Sequence, residues 1–108
     1  MIAETPDPPY YAVIFTSVRT EGDAGYSLMA EEMVKLAIQQ PGFLGVESAR
    51  EEIGITVSYW RDLESIAGWK ANIEHKNARQ IGRQVWYRAF KVRISKVERD
   101  YNFYKNEF

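Results

Sequence analysis

The chain has 108 residues, 45% of them apolar, and a net charge of −1, which suits one globular domain and argues against disorder or a basic nucleic-acid binder. It has no cysteine and one histidine, so disulfides, thiolate metal sites, cysteine nucleophiles and the usual zinc ligand sets are excluded. No apolar run reaches the roughly 20 residues that span a bilayer, and no basic segment followed by an apolar core opens the chain, so a cytoplasmic protein without a membrane partner is expected.

Residues 1–9 carry three of the four prolines and are expected to form an extended, mobile lead-in to a domain over 10–103, with a short tail at 104–108. Tyr10 to Val18 is rich in β-branched and aromatic residues and predicts a strand. Two glycines and a candidate cap, Asp23, precede a predicted helix ending near Gln39, with Leu28, Met29, Met33, Leu36 and Ala37 as its apolar stripe. Pro41-Gly42 stops it. Phe43–Glu51 and Ile55–Trp60 predict two strands joined tightly enough for an antiparallel hairpin. Asp62 is placed to cap a short helix through Trp69, and a further helix is expected from Glu74 to Gln84. The last strand runs from Tyr87 to Glu98, with Phe90, Val92 and Ile94 on one face and Lys91, Arg93, Ser95 and Val97 on the other.

That order is an α+β, ferredoxin-like split βαβ sandwich with an antiparallel sheet. Helices cover one sheet face. The other carries enough apolar surface to want a partner, most simply a second copy packed face to face as a homodimer. Charge is lopsided: residues 1–75 carry five Lys/Arg against twelve Asp/Glu, whereas 76–99 carry eight against one. The two halves either neutralise each other, within the chain or across a dimer, or form an electropositive mouth for a carboxylate-bearing ligand.

Chemistry is expected between Tyr59 and Tyr87, which holds all three tryptophans and the one histidine. Trp69, Asn72, Ile73 and Lys76 share a face of an unbroken helix. His75 is the natural proton acceptor near neutral pH, Trp69 an aromatic wall, and Asn72 a group that orients a carbonyl or hydroxyl. Arg79 or Arg83 completes the set as an anion stabiliser. Each has a plainer reading: Trp69 as core, His75 as a solvent-facing helix-start residue, Asn72 in a turn, and Arg83 in an edge salt bridge. No glycine-rich phosphate loop, dinucleotide fingerprint or nucleophile elbow occurs.

The pattern Tyr59-Trp60, Trp69-Lys70, Asn72, His75, Gly82-Arg83 and Trp86-Tyr87, after a strand–helix–hairpin opening, resembles the antibiotic biosynthesis monooxygenase superfamily. The resemblance covers about Tyr10 to Phe103. It implies a dimeric α+β barrel and either of two chemistries, cofactor-independent oxidation of aromatic substrates to quinones or haem degradation. In the haem-degrading branch Trp69 has a counterpart beside the substrate, and His75-Lys76 resembles the His-Lys pair whose histidine ligates the iron, set about one helical turn closer to the tryptophan. Phe15 stands where that branch uses a first-strand asparagine. The expectation is therefore a cofactor-independent monooxygenase acting on a polycyclic phenol or similar small aromatic molecule, with His75 and Trp69 catalytic and no metal site. Asn72, Phe15, Tyr59, Arg79 and Arg83 would line the substrate. The alternatives are a non-catalytic ligand-binding dimer, with Phe15 and Tyr59 filling the pocket, and a haem-degrading enzyme.

Overall fold

A computed structural model describes residues 2–22, 25–75 and 86–105, with Glu74 and His75 described by backbone alone. The elements are β1 (Tyr10–Arg19), α1 (Tyr26–Ile38), β2 (Phe43–Arg50), β3 (Gly54–Trp60), α2 (Leu63–His75) and β4 (Tyr87–Val97). The strands form one sheet in the order β2-β3-β1-β4, and every neighbouring pair is antiparallel. The ferredoxin-like α+β expectation is met.

Register decides which residues share a face. Tyr11 and Phe43 both pair with Trp60, and Trp60 stacks on Trp69 of α2. The helix-covered face therefore carries Tyr11, Val13, Phe15 and Ser17 from β1, and Gly54, Thr56, Ser58 and Trp60 from β3. Phe90, Val92 and Ile94 pair with Ser17, Phe15 and Val13, so β4 presents to this face the row that alternation predicts. A register shift at Val18/Arg19 sets Arg19 opposite Tyr87. The open face holds Tyr10, Ala12, Ile14, Val57 and Tyr59.

Helix boundaries differ in instructive ways. At the start of α1 the cap is Gly25, at φ 84°, with no side-chain cap bond; the expected cap, Asp23, lies outside the described residues. The inward face of α1 runs through Tyr26, Met33 and Ala37, whereas Leu28 is 67% exposed. Its place in the predicted stripe is thus corrected: at 100° per residue it falls on the far side from Tyr26. The helix expected to stop at Trp69 continues unbroken to His75, because nothing between Gly68 and His75 interrupts it. The stretch of the second expected helix beyond His75 lies outside the described residues.

Asp62 does cap α2, its Oδ1 accepting from Ser65 N–H and Ser65 Oγ–H at 2.7 Å each. These bonds, the hydroxyl first, hold the Asp62 carboxyl below its ordinary pKa. Gly42, at φ 82°, lets the chain pass under this capped end: a Cβ there would collide with Ser65 Oγ. Its carbonyl accepts from Arg61 N–H at 2.8 Å, which ties the start of β2 to the entry of α2.

Candidate functional site

The helices meet the sheet at an aromatic end. Trp60, fully buried, stacks on Trp69 with ring centroids 6.0 Å apart at 26°. Phe43 meets Trp60 edge-on at 5.4 Å, and the Trp60 indole N–H donates to Ser58 Oγ at 2.9 Å. Beyond that aromatic end the facing side chains are small or half-buried: Val13, Phe15, Val46, Thr56 and Ser58 from the sheet, and Met29, Met33 and Asn72 from the helices. Close-packed cores bury such residues almost completely. Among the described residues this layer is packed less tightly than such a core.

Asn72 follows Trp69 by three positions on α2, so both lie on the side turned to the sheet. Its Oδ1 is buried and accepts no hydrogen bond from any described group. A buried amide oxygen left unpaired costs about 1–3 kcal/mol, so it is either met by a residue outside the described set or held ready for a ligand donor. His75 is the last residue of α2, one turn beyond Asn72. Lys76, Arg79 and Arg83 lie outside the described residues.

Phe15 lies farther along the same face, with ring centroids 5.4 Å from both Tyr87 and Phe90. It can offer no hydrogen bond where the haem-degrading branch places an amide. On that point the residues present do not fit haem, and no step is derived through it.

Tyr59 is a correction. It cannot line one pocket with Phe15 and Trp69, because Trp60 faces the helices and its neighbour must face away. On the open face its hydroxyl donates to Glu47 Oε1 at 2.7 Å, and its ring meets Tyr10 edge-on at 5.9 Å. Burial first, then the Glu47 bond, pushes the Tyr59 phenol up to about 12. Glu47 is held low in turn, by Tyr59 first and then by Ala3 N–H, which donates to its Oε2 at 2.8 Å. The Tyr10 hydroxyl, bonded to Thr5 and Asp100, is raised by burial and by Asp100. This network ties residues near both chain ends to the open face, and its side chains do not face the helices.

A second cluster on the helix-covered face lies at the end away from Trp60 and Trp69. Tyr26 of α1 packs edge-on against Trp86 and Tyr87, and the Arg19 guanidinium sits 3.6 Å from the centre of the Tyr26 ring. Burial, then a hydrogen bond with Tyr26, raises the Tyr87 hydroxyl well above the usual phenol range, so it stays protonated at physiological pH. Sequence reasoning passed over Ser17, Arg19, Tyr26 and Arg50. The available signal was strand parity, which puts Phe15, Ser17 and Arg19 on one face.

An antiparallel four-stranded sheet with its helices on one side, arranged βαββαβ, is the ferredoxin-like fold of the dimeric α+β barrels. Fold and sequence agree. The chain belongs to the antibiotic biosynthesis monooxygenase family, whose profile matches residues 9–81. The uncharacterised protein YqjZ of Bacillus subtilis (strain 168) is 53% identical over 107 residues, spanning 97% of this chain and 94% of its own length. Among solved structures, a variant of SnoaB, a cofactor-independent oxygenase from Streptomyces nogalater, superposes with a TM-score of 0.72 at 12% identity, covering 84% of this chain and 95% of that one. A conserved protein from Methanosarcina mazei Go1 gives 0.69 at 10% identity, covering 85% and 94%. Likeness at that identity speaks to fold and not to reaction.

Proposed function

We propose that this protein is a cofactor-independent monooxygenase that oxidises a polycyclic phenol between sheet and helices, working as a homodimer. The observation that carries the reading is the buried Asn72 oxygen, without a described partner, beside the Trp60–Trp69 stack and a half-buried helix–sheet layer. Membership of the antibiotic biosynthesis monooxygenase family supports it. Large aromatic faces suit a planar, electron-rich substrate.

In this reading His75 takes a proton from an acidified C–H or phenol of the substrate. The resulting delocalised anion is electron-rich enough to give dioxygen one electron, and recombination forms a C–O bond as a hydroperoxide. Loss of water, with the proton returned by His75, leaves a carbonyl. A ring methylene and O2 thus become a ring carbonyl and H2O, with no outside reductant. Asn72 Oδ1 accepts from the substrate hydroxyl and fixes its orientation. Trp69 and Trp60 exclude water and hold the ring plane. Phe15 supplies further aromatic wall, and Arg79 and Arg83 are proposed to steady the developing anion. Tyr59 is given no part in this site.

The test is oxygen uptake with a hydroxyanthrone, whose doubly benzylic methylene has the required acidity, in the presence of a chelator and with spontaneous oxidation subtracted. His75→Ala is expected to lower kcat by about 10²-fold or more, the usual worth of a general base. A His75→Ala enzyme as fast as wild type would remove His75 from the chemistry. Tight ligand binding with no oxygen uptake would make the protein a non-catalytic carrier.

A further inference from the structure

At the end of the helix-covered face remote from Trp60 and Trp69, a basic group that the proposed chemistry does not use crosses the sheet. Arg50, Gly54 and Ser17 lie in register side by side on β2, β3 and β1. The Arg50 guanidinium lies flat over Gly54: a Cβ on Gly54 would overlap Nη2 and Cζ. It thereby reaches across a whole strand to donate from Nη2 to the hydroxyl of Ser17, which is 1% exposed.

Only a glycine at this position of β3 leaves that path open. An arginine has five N–H donors in a fixed fork, and one is used here. No carboxylate lies within ion-pair distance of Arg50 among the described residues, and the Arg50 residue itself is solvent-accessible. Two guanidinium groups also approach one ring, with Arg19 Cζ at 3.6 Å and Arg50 Cζ at 6.0 Å from the Tyr26 centroid. Beside them Phe15, Tyr87 and Phe90 form a cluster with centroid spacings of 5.4 to 5.8 Å.

We infer that this end of the helix-covered face binds the carboxylate of an aromatic ligand, the free fork of Arg50 gripping the carboxylate while Phe15, Tyr87 and Phe90 pack against the adjoining ring. Guanidinium and carboxylate match as planar, bidentate partners. The Ser17 bond and the Gly54 floor hold the guanidinium in place before the ligand arrives. From the Ser17 row to the Tyr11–Trp60 row is six residues of strand, about 20 Å at 3.4 Å per residue, so an elongated polycyclic acid can lie along this face with its acid group here. The inference rests on the reading of the helix–sheet layer as a substrate site, but not on the oxygen chemistry.

The experiment is a binding titration followed by quenching of tryptophan fluorescence, with anthracene-2-carboxylate and its uncharged carboxamide as paired probes, under argon. Wild type is expected to favour the carboxylate by about 10-fold or more, the scale of a charge-assisted bidentate contact, and added salt should shrink that preference. Arg50→Gln should abolish the preference while leaving the carboxamide's affinity intact. Gly54→Ala, which keeps the charge but displaces the guanidinium, should do the same, and circular dichroism checks that each variant is folded. Equal affinity of wild type for the two probes, loss of both together in Arg50→Gln, or binding of neither overturns the inference. Because nothing is oxidised under argon, an inactive enzyme that still shows the Arg50-dependent preference refutes only the proposed reaction.

Discussion

At the scale of single residues, Asn72 is the most informative side chain. A helix face that meets a sheet normally buries apolar groups, and Asn72 instead buries an amide oxygen with no described partner. That choice works against folding and makes sense where a ligand supplies the missing donor. Asn72→Leu should therefore keep or raise the melting temperature while lowering turnover of a hydroxyanthrone by about 10-fold or more. Thermal melts and oxygen uptake on the same preparation check both halves. A marked loss of stability would mean that the amide is paired within the fold and is structural. The concentration of indole around Trp69 was legible in the sequence, because it needs no fold to be seen, whereas the helical spacing to Asn72 followed only if the helix ran on past Trp69. Tyr59 was misplaced although the strand alternation held the answer: Tyr59 and Trp60 are neighbours and cannot both face the helices. Arg50 was not legible at all, because its meeting with Ser17 depends on a register shared by three strands.

At the scale of elements, the strand assignments came through because β-branched and aromatic runs are bounded by turn residues. The Asp62 cap came through because its chemistry is local. The exposed Leu28 shows the limit of composition: α1 carries apolar side chains on more than one side, and only the packing of Tyr26 against Trp86 and Tyr87 fixes which side turns inward. The break expected after Trp69 failed because Asn72 was read as a turn residue, whereas here it sits within a continuous helix. The joint between β2 and α2 depends on Gly42 both for its positive φ and for the space a Cβ would take from Ser65. Gly42→Ala should cost about 1–3 kcal/mol, more than an ordinary surface change, read as the shift in a urea midpoint at unchanged m. A cost within about 0.5 kcal/mol, typical of neutral surface sites, would show that the turn relaxes without it.

At the scale of the whole molecule, both sheet faces leave apolar surface uncovered: Val92 and Ile94 are 47% and 53% exposed on the helix side and Ile55 is 45% exposed on the other, and the segment after β4 exposes Tyr101 and Phe103 at 99% and 83%. The radius of gyration, 14.9 Å, exceeds the roughly 13 Å of a compact domain this size. Apolar surface so disposed is expected to be covered by a second copy. Light scattering should return twice the 12.5 kDa chain mass at micromolar concentration, and a monomer there would contradict the dimer. No helix among the described residues is long and apolar enough to cross a membrane.

As proposed, the site beside Trp69 and Asn72 accelerates oxidation of a polycyclic phenol by dioxygen alone. The most direct measurement is the rate of quinone formation from a hydroxyanthrone under ¹⁸O₂, for wild type, His75→Ala and Asn72→Leu against the spontaneous reaction. Wild type is expected to give labelled quinone far above background, with both variants reduced toward it. Wild type no faster than the spontaneous oxidation would contradict it.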